Sequence, residues 1–329
     1  MTKSMKNISE RLYKELFSSI SKYINMGDRY IFIEYPFHSN IGDHAIWLGA
    51  KRCLNKITGR NYNRCVVSLT PPTDDIHVGK YDKIIIHGGG NFGTIYRNIH
   101  NCKLKWIEKY HDRKIIQLPQ TVFFNEDDTE NSLYRTCKAI EKCKNFIFMA
   151  RDHVSYEFAH KHFPCETVLV PDMAFALHDK IRRCNKVPEK NKSEIKFLLR
   201  TDKESIGHKM DGSTDWVEKT KFMRLIKKMH KKLWIKNNIH LTKLLFFLSL
   251  QSLFRGKKIL CQGKTVISDR LHAHILCTLF EIPHVILDNN YGKISSFVNT
   301  WETIGNYSAL ASSLEEAVDK ARYITSKIE

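Results

Sequence analysis

The sequence has 329 residues, of which 42% are hydrophobic, and a formal net charge of +18. This length exceeds what one ordinary hydrophobic core serves, so two domains are expected, and the composition excludes a disordered chain. The longest apolar stretch, Leu241 to Phe254, contains Lys243. It is too short to span a bilayer, which takes about 20 residues, and is expected to form a buried helix.

The chain begins with the polar, charged segment MTKSMKNISERLYKE, which lacks the apolar core of a secretory signal. Nine cysteines are scattered without a CxxC pair. This pattern favours reduced thiols over a disulfide framework or a zinc site. Both features predict a cytoplasmic protein that holds no metal.

Strand-like apolar runs that end in turn residues recur along the chain, and helical periodicity follows several of them. Strands are predicted at residues 30–35, 81–87, 114–118, 145–149 and 167–170 and, after a charged stretch at 179–193, at 195–200, 265–267 and 284–287. Apolar strands that alternate with helices indicate parallel sheets covered on both faces. We therefore predict an α/β protein with two Rossmann-like, doubly wound domains facing a cleft, over residues 1–185 and 186–329.

A basic segment within the second predicted domain, Lys219 to Lys258, contains twelve lysines and arginines and no acidic residue. Apolar residues, including Trp234, are interspersed among these charges. Such a run is often simply a solvated helix face. The basic amphipathic pattern also suits an anionic membrane surface, so both interpretations remain open.

Ligands of open α/β sheets bind beyond the carboxyl ends of the strands, so the loops at these ends are candidate sites. In the loop after the first strand, Asn40 and Asp43 are candidates to hold sugar hydroxyls. Asp43 is also suited to act as a general base or to cap the following helix. Asp172, which follows the strand at 167–170, has the same two interpretations.

A glycine-dense loop follows the second strand and includes Gly89, Gly90 and Asn91. It has neither the GxGxxG spacing of a dinucleotide site nor the GK[ST] ending of a P-loop. Its backbone N–H groups are suited to form an anion nest, although a plain tight turn explains the glycines nearly as well.

The segment SDRLHAH, from Ser268 to His274, follows a predicted strand and opens an apolar helix. A helix N-terminus favours anions, and Arg270 in its first turn adds a planar fork that matches phosphate or carboxylate. His272 adds a group that transfers protons near neutral pH. Arg200, at the carboxyl end of another strand, is a candidate for a second cationic clamp.

Five segments in this order resemble the polysaccharide pyruvyl transferase family: NIGDHAI from Asn40, IIIHGGGNFG from Ile84, RDHVS from Arg151, VPDMAF from Val170 and SDRLHAHI from Ser268. The resemblance implies a GT-B-like fold and a metal-independent, cofactor-free transfer of pyruvate from phosphoenolpyruvate to a sugar as a ketal.

The resemblance implies roles for the residues at matching positions. Arg270 and Arg200 match positions at which the family holds the donor. Ser268 and His274 are further candidates to hold the donor, and Asn40, Gly89, Gly90 and Asn91 are candidates to hold the acceptor. The resemblance also places His272 in the family's donor-holding Arg-Leu-His element, and Asp43 and Asp172 at its acidic loop positions. The chemistry of ketal formation adds the hypothesis that His272 protonates the methylene carbon and that Asp43 or Asp172 accepts the hydroxyl proton. The order Pro-Asp-Met in the fourth segment departs from the family's more usual Asp-Pro-Ala.

Two other functions remain open at this point. A glycosyltransferase of similar shape would also use a basic helix N-terminus, to hold the diphosphate of a nucleotide sugar. A non-enzymatic protein would use residues 219–258 to rest on an anionic membrane. Nucleic acid is not expected as a partner, because the basic segment has few aromatic residues and no recognised module. An enzyme on the inner membrane face, acting on a lipid-linked saccharide, would combine two of these functions.

Overall fold

The computed structural model describes residues 4–74, 76–126, 128, 131–181, 193–202, 204–205, 207–208, 210–217, 239–288 and 292–328. The predicted domain boundary at 185/186 and residues 219–238 of the basic segment lie outside them. The chain divides into two compact units. We call Glu15–Phe37 with Gly49–Ala176 the first unit, and Met1–Lys14, His38–Leu48 and Leu177–Glu329 the second unit.

The first unit contains a seven-stranded parallel sheet in the order β2-β1-β3-β5-β6-β7, with β4 paired to β5. The strands are β1 Tyr30–Tyr35, β2 Arg64–Val67, β3 Lys83–Ile86, β4 Gly89–Gly93, β5 Ile115–Phe123, β6 Phe146–Ala150 and β7 Glu166–Leu169. Helices α3 Arg97–Lys109, α4 Ser132–Lys142 and α5 His153–His162 belong to this unit, and two further helices, α1 Met5–Ile20 and α2 Ile41–Thr58, contribute residues to both units.

The second unit contains a four-stranded parallel sheet in the order β11-β10-β9-β8. Its strands are β8 Ser193–Leu198, β9 Gly263–Ser268, β10 His284–Leu287 and β11 Ser308–Ala311. Its helices are α6 Ile239–Leu260, α7 Leu271–Phe280, α8 Lys293–Trp301 and α9 Leu314–Ser326. A short 3-10 helix, Met173–Leu177, precedes this part of the chain.

The α/β class with parallel sheets is confirmed, because β1, β3 and β5–β10 form where apolar runs predicted strands. Most of these strands are buried; Ile84, Ile85 and Ile86 of β3, for example, are each 0% exposed. β7 and β8 are partly exposed. The arrangement of two domains about a cleft, as in GT-B proteins, stays a prediction.

The glycine-dense segment after β3 forms a strand, β4, where the sequence suggested a turn or an anion nest. Glycine is required for close packing against β5. A Cβ on Gly88 would collide with the Pro119 carbonyl oxygen, and one on Gly93 would lie 2.7 Å from the Phe123 carbonyl carbon. β5 also continues past Pro119, where it was expected to stop.

The cysteines differ in part from the expectation of reduced thiols. Seven of those in the described part of the chain are free, whereas Cys261 is disulfide-bonded.

Within the described ranges, no helix is both long enough and apolar enough to cross a membrane.

Four fully or almost fully buried histidines predict that the protein loses stability in mild acid. Burial lowers the pKa of His44 and His284 to about 4, lowers that of His100 to about 3, and lowers that of His274 well below its ordinary value. The unfolded chain therefore binds protons between about pH 6.5 and about pH 4 that the folded protein does not. Each histidine should cost about 1.4 kcal/mol of unfolding free energy per pH unit in this window.

Urea unfolding followed at several pH values across this window measures the effect. His100→Gln removes one of the titrating groups and should reduce the slope. A free energy of unfolding that stays constant down to about pH 5 would contradict the prediction.

Candidate active site

The carboxyl end of β9 leads directly into α7, and Arg270 is the N-cap residue of this helix, one position before the first turn in which it was expected. Its side chain is only 4% exposed. A guanidinium group keeps its charge at any ordinary pH, so burial at this depth requires compensating anions.

Asp215 supplies the main compensation for Arg270 through a two-point contact. The Arg270 Nε donates to Asp215 Oδ1 at 2.8 Å, and its terminal nitrogen donates to Oδ2 at 2.6 Å. The Trp216 ring lies beside the guanidinium group, 5.9 Å from ring centroid to Arg270 Cζ. These contacts fix the plane of the arginine fork.

Arg200, which follows β8, lies in the same cluster. It donates to both carboxylate oxygens of Asp202, at 2.9 and 3.1 Å, and pairs with Glu204 at 2.8 Å. Asp202 also accepts from Arg270 at 3.1 Å, so its carboxylate bridges the two arginines. The structure therefore brings together the two arginines that the sequence selected, and it adds three carboxylates that sequence analysis missed.

Two buried polar atoms of this cluster have no hydrogen-bond partner within the described part of the chain: Asp269 Oδ2 and the indole nitrogen of Trp216. The other Asp269 oxygen accepts from the backbone N–H of Arg200 at 2.8 Å. Burial raises the pKa of Asp269, against the opposing effects of this bond and of both arginines. Because the Trp216 indole N–H has no partner in the described part of the chain, it is a candidate hydrogen-bond donor to a ligand.

His272, in the first turn of α7, packs directly on the first turn of α2. A Cβ added to Gly42 would lie 2.5 Å from Cγ and 2.7 Å from Cβ of His272, which no real side chain tolerates. Gly42 is therefore needed at this position because the imidazole occupies the space of its side chain.

Polar side chains lie on both sides of Gly42, in the loop that precedes α2 and in the first turn of α2. Asn40 Oδ1 accepts from the Gly42 N–H at 3.2 Å and thereby caps α2, while its amide donates to Asp43 Oδ2 at 2.8 Å. His38 Nε2 lies 3.4 Å from the same Asp43 oxygen. Asn40, and not Asp43, is thus the capping residue, and the Asp43 carboxylate remains 22% exposed.

Two side chains hold the backbone of the loop that precedes α2, at His38 and Ser39. Arg255 of α6 donates to the carbonyl oxygens of Ser39 and Trp216, at 2.8 and 2.7 Å. His44 is buried and bonds to the His38 carbonyl oxygen and to Ser249 of α6. Arg255 belongs to the basic segment 219–258, and its inward contacts show that this segment is not only a solvated face.

Two residues predicted to bind the donor have framework contacts instead. Ser268 donates to the Leu198 carbonyl oxygen at 2.6 Å and accepts from the Arg270 N–H. His274 is 0% exposed, and its ring nitrogens contact His284 and Thr303, each at 2.7 Å. This geometry does not support their predicted role in donor binding, because their polar atoms are occupied within the core.

In the first unit, Asn91 of β4 anchors a polar network at the carboxyl ends of the strands. Its side chain donates to Glu34 at 2.6 Å and accepts from Lys103 at 2.6 Å and from Gln120 at 3.0 Å. Lys103 also pairs with Glu34 at 3.2 Å, and both are buried. This network holds the side chain of Asn91, one of the predicted acceptor residues. The other two in this segment, Gly89 and Gly90, have only backbone groups to offer an acceptor.

The position of Glu34 is unusual in two respects. It has a φ of +72°, which is rare outside glycine and accompanies functional sites. It also lies at the end of β1, where the strand order reverses between β2 and β3, the place where open sheets bind ligands. Its only sequence signal is an acidic residue within the apolar run YIFIEY.

Asp172 lies in the first unit, whereas Asp43 and His272 belong to the second. Its carboxylate is 1% exposed, pairs with Arg151 at 2.8 Å and accepts from the Ala174 N–H at 2.9 Å. Asp152 similarly caps α5 by accepting from the Ser155 N–H. The geometry thus favours the capping role for both acids.

The buried pair of Lys103 and Glu34 predicts a large loss of stability when one partner is removed. Lys103→Met should lower the unfolding free energy by about 3–5 kcal/mol, since it removes a cation that pairs with the buried Glu34 carboxylate. Urea unfolding measures this loss.

Lys138→Met provides the matched control, because Lys138 pairs with Glu141 at 2.8 Å on the surface of α4. Its loss should cost less than about 1 kcal/mol. Equal costs for the two variants would show that the buried pair does not stabilise the first unit.

Comparison with known proteins agrees with this set of motifs. The profile of the family described as "Polysaccharide pyruvyl transferase" matches residues 40–291. The chain is 28% identical over 334 residues to "Pyruvyl transferase 1" of Schizosaccharomyces pombe, a match that covers 95% of this chain and 78% of that protein. It is 27% identical to "Putative pyruvyl transferase EpsO" of Bacillus subtilis, over 88% of this chain and 90% of that protein.

A crystal structure of a functionally uncharacterized protein from Klebsiella pneumoniae, KP1_0663, is similar with a TM-score of 0.58 and 18% identity, and the match covers 92% of this chain and 98% of that chain. This likeness shows the fold alone. The family profile spans far more than half of the sequence and includes the loop at Asn40, the glycine-rich strand β4 and the N-terminus of α7. The chain therefore belongs to the polysaccharide pyruvyl transferase family.

Proposed function

We propose that this protein transfers the enolpyruvate unit of phosphoenolpyruvate to two hydroxyls of a sugar, which forms a pyruvate ketal on a precursor of an exopolysaccharide or cell-surface glycan. One observation carries the proposal: the buried residues Arg200 and Arg270 share Asp202 at the N-terminus of α7, whose first turn carries His272, in the same compact unit as Asp43. Family membership supports pyruvyl transfer, and the choice of donor rests on the chemistry of this cluster.

Phosphoenolpyruvate carries a phosphate and a carboxylate on adjacent groups. Two guanidinium groups, each able to make paired hydrogen bonds, match two such anions. The N-terminus of α7 adds backbone N–H groups and a partial positive charge. Arg200 and Arg270 are therefore the proposed donor-binding residues, and the Trp216 indole N–H is a further proposed contact.

The proposed chemistry begins with a proton transfer from His272 to the methylene carbon of the donor. The neighbouring carbon becomes oxocarbenium-like, and a sugar hydroxyl attacks it while Asp43 accepts the hydroxyl proton. Phosphate then leaves and takes up this proton. A second hydroxyl closes the ketal ring, and its proton returns to His272, so protons balance over one turnover.

Asp43 is a better candidate than Asp172 for the base. Its carboxylate is partly exposed, and its chain neighbour Gly42 contacts His272. Asp172 is 1% exposed and already serves Arg151 and a helix N-terminus. Asn40, which holds the Asp43 carboxylate, is proposed to contact the acceptor. Gly89, Gly90 and Asn91 of the first unit stay predicted acceptor residues.

Phosphate release from phosphoenolpyruvate, measured with free, nucleotide-linked and lipid-linked sugars, tests the reaction. His272→Ala should lower kcat by about 10²–10⁴-fold with little change in donor binding, as expected for a lost general acid. Arg270→Ala should instead weaken donor binding. An unchanged kcat in His272→Ala would exclude His272 as the acid.

The melting temperature of the same protein, measured with each compound, distinguishes phosphoenolpyruvate from a nucleotide sugar as the donor. A higher Tm with phosphoenolpyruvate supports the donor site even when no tested sugar is an acceptor. A higher Tm with a nucleotide sugar, together with no response to phosphoenolpyruvate, would replace the proposal with a glycosyltransferase.

We further propose that the protein works in the cytoplasm on the inner membrane face, where lipid-linked acceptors lie. The observation is an exposed stripe on α6: Phe247 and Phe254 are 52% and 68% exposed, and Lys243 and Lys258 are exposed at the two ends. The spacing of 4, 7 and 4 residues places the four side chains on one helix face. The helix contains no acidic residue.

Sedimentation with vesicles that contain anionic phospholipid measures this association. Replacing both Phe247 and Phe254 by serine should weaken it about tenfold or more, because less apolar area enters the lipid. Tyr134→Ser, at an exposed aromatic residue of α4, is the matched control and should have no effect. Equal retention of the double variant and the parent protein would refute the assignment of this face.

A further inference from the structure

Asp202 occupies the position that an anionic ligand would take between the two arginines. Its oxygens accept from Arg200 at 2.9 and 3.1 Å and from Arg270 at 3.1 Å. A carboxylate that bridges two guanidinium forks has the same contacts that the carboxylate or phosphate of a donor would make. Protein and ligand would therefore compete for the same hydrogen-bond donors.

The other two carboxylates of the cluster are held much more firmly. Asp215 accepts from Thr201 through both its N–H and its hydroxyl, and from the Trp216 N–H, in addition to Arg270. It is 8% exposed. Its many bonds orient it, so Asp215 acts to position Arg270.

Glu204 is 4% exposed and contacts Lys293 as well as Arg200. Asp202 is 29% exposed. Apart from its contacts with the arginines, it accepts from the Glu204 N–H at 3.2 Å. Of the three carboxylates, Asp202 is thus the one that is best able to leave the cluster toward solvent.

The charges of the cluster make this departure necessary for tight anion binding. Asp202, Glu204 and Asp215 balance the charges of Arg200, Arg270 and Lys293, and the Asp269 carboxyl group lies beside both arginines as well. Burial acts to raise the pKa of Asp202, but its hydrogen bond to Arg200 and the charges of both arginines lower it to about 2, so the carboxylate stays ionised near neutral pH. An anion that enters while Asp202 remains meets no excess of positive charge.

We propose that Asp202 is a specificity-determining residue: an intramolecular competitor that a donor anion must displace from Arg200 and Arg270. The inference rests on the proposed function only in placing the donor at these arginines. An anion that engages both arginines replaces the contacts of Asp202, whereas one that engages a single arginine does not. The competitor thus favours phosphoenolpyruvate over pyruvate and keeps the buried arginines neutralised when no donor is bound.

Calorimetric titration of the full chain with phosphoenolpyruvate, inorganic phosphate and pyruvate, at constant ionic strength, tests this competition. In Asp202→Asn the amide keeps the size of the side chain but loses its charge. If the bridged state accounts for about 90% of the molecules, the variant should bind phosphoenolpyruvate and phosphate about tenfold more tightly. Its preference for phosphoenolpyruvate over pyruvate should fall.

Asp215→Asn is the matched control and should weaken binding of both phosphate-containing ligands, because Arg270 loses its fixed orientation. Asp202→Ser provides a second variant with the same expected sign. Weaker or unchanged binding in both Asp202 variants, or no anion binding in parent and variants alike, would overturn the competitor role. Tighter phosphate binding without any response to phosphoenolpyruvate would keep the competitor and refute the proposed donor.

Discussion

Compensation of two buried guanidinium groups is the interaction on which the second unit's candidate site depends. Arg200 and Arg270 are 8% and 4% exposed. Removing two unpaired cations from water to this depth would cost several kcal/mol each, so the arginines occupy these positions only because carboxylates accompany them. The same carboxylates set the planes of the forks and therefore determine which anions the forks are able to hold.

Close backbone approach is the second constraint, and glycines satisfy it in two ways. Gly42 leaves room for the His272 ring, so this glycine serves the geometry of a site. Gly88 and Gly93 leave room for β5, so they serve the packing of the sheet. The two uses look alike in a sequence, since each reads as a glycine beside polar residues after a strand.

The polar residues of the motifs differ in how deeply they are buried, and this difference indicates which of them support the fold and which remain accessible. Ser268, His274 and Asp172 are almost fully buried, and their polar atoms bond to the surrounding protein. The Asp43 carboxylate remains partly exposed, and the exposed fraction of the residue His272 is intermediate. Exposure thus distinguishes Asp43, whose carboxylate reaches solvent, from the buried residues, while Nε2 of His272 is itself buried. Ser268, His274 and Asp172 stabilise the surrounding structure through these bonds.

The sequence by itself determined the α/β class, most strands of both sheets, and the importance of the segments at Asn40 and Ser268, because apolar runs and helix N-termini are local patterns. Only the tertiary structure decided that Asn40 rather than Asp43 caps α2, that the glycine run forms β4, and that His274 faces the core. It also brought Asp202 and Asp215 to Arg270, and Lys103 to Glu34. Asp215 and Arg270 are 55 residues apart, and Glu34 and Lys103 are 69 apart. Pairings over such separations depend on how strands and helices pack, and no local pattern encodes them.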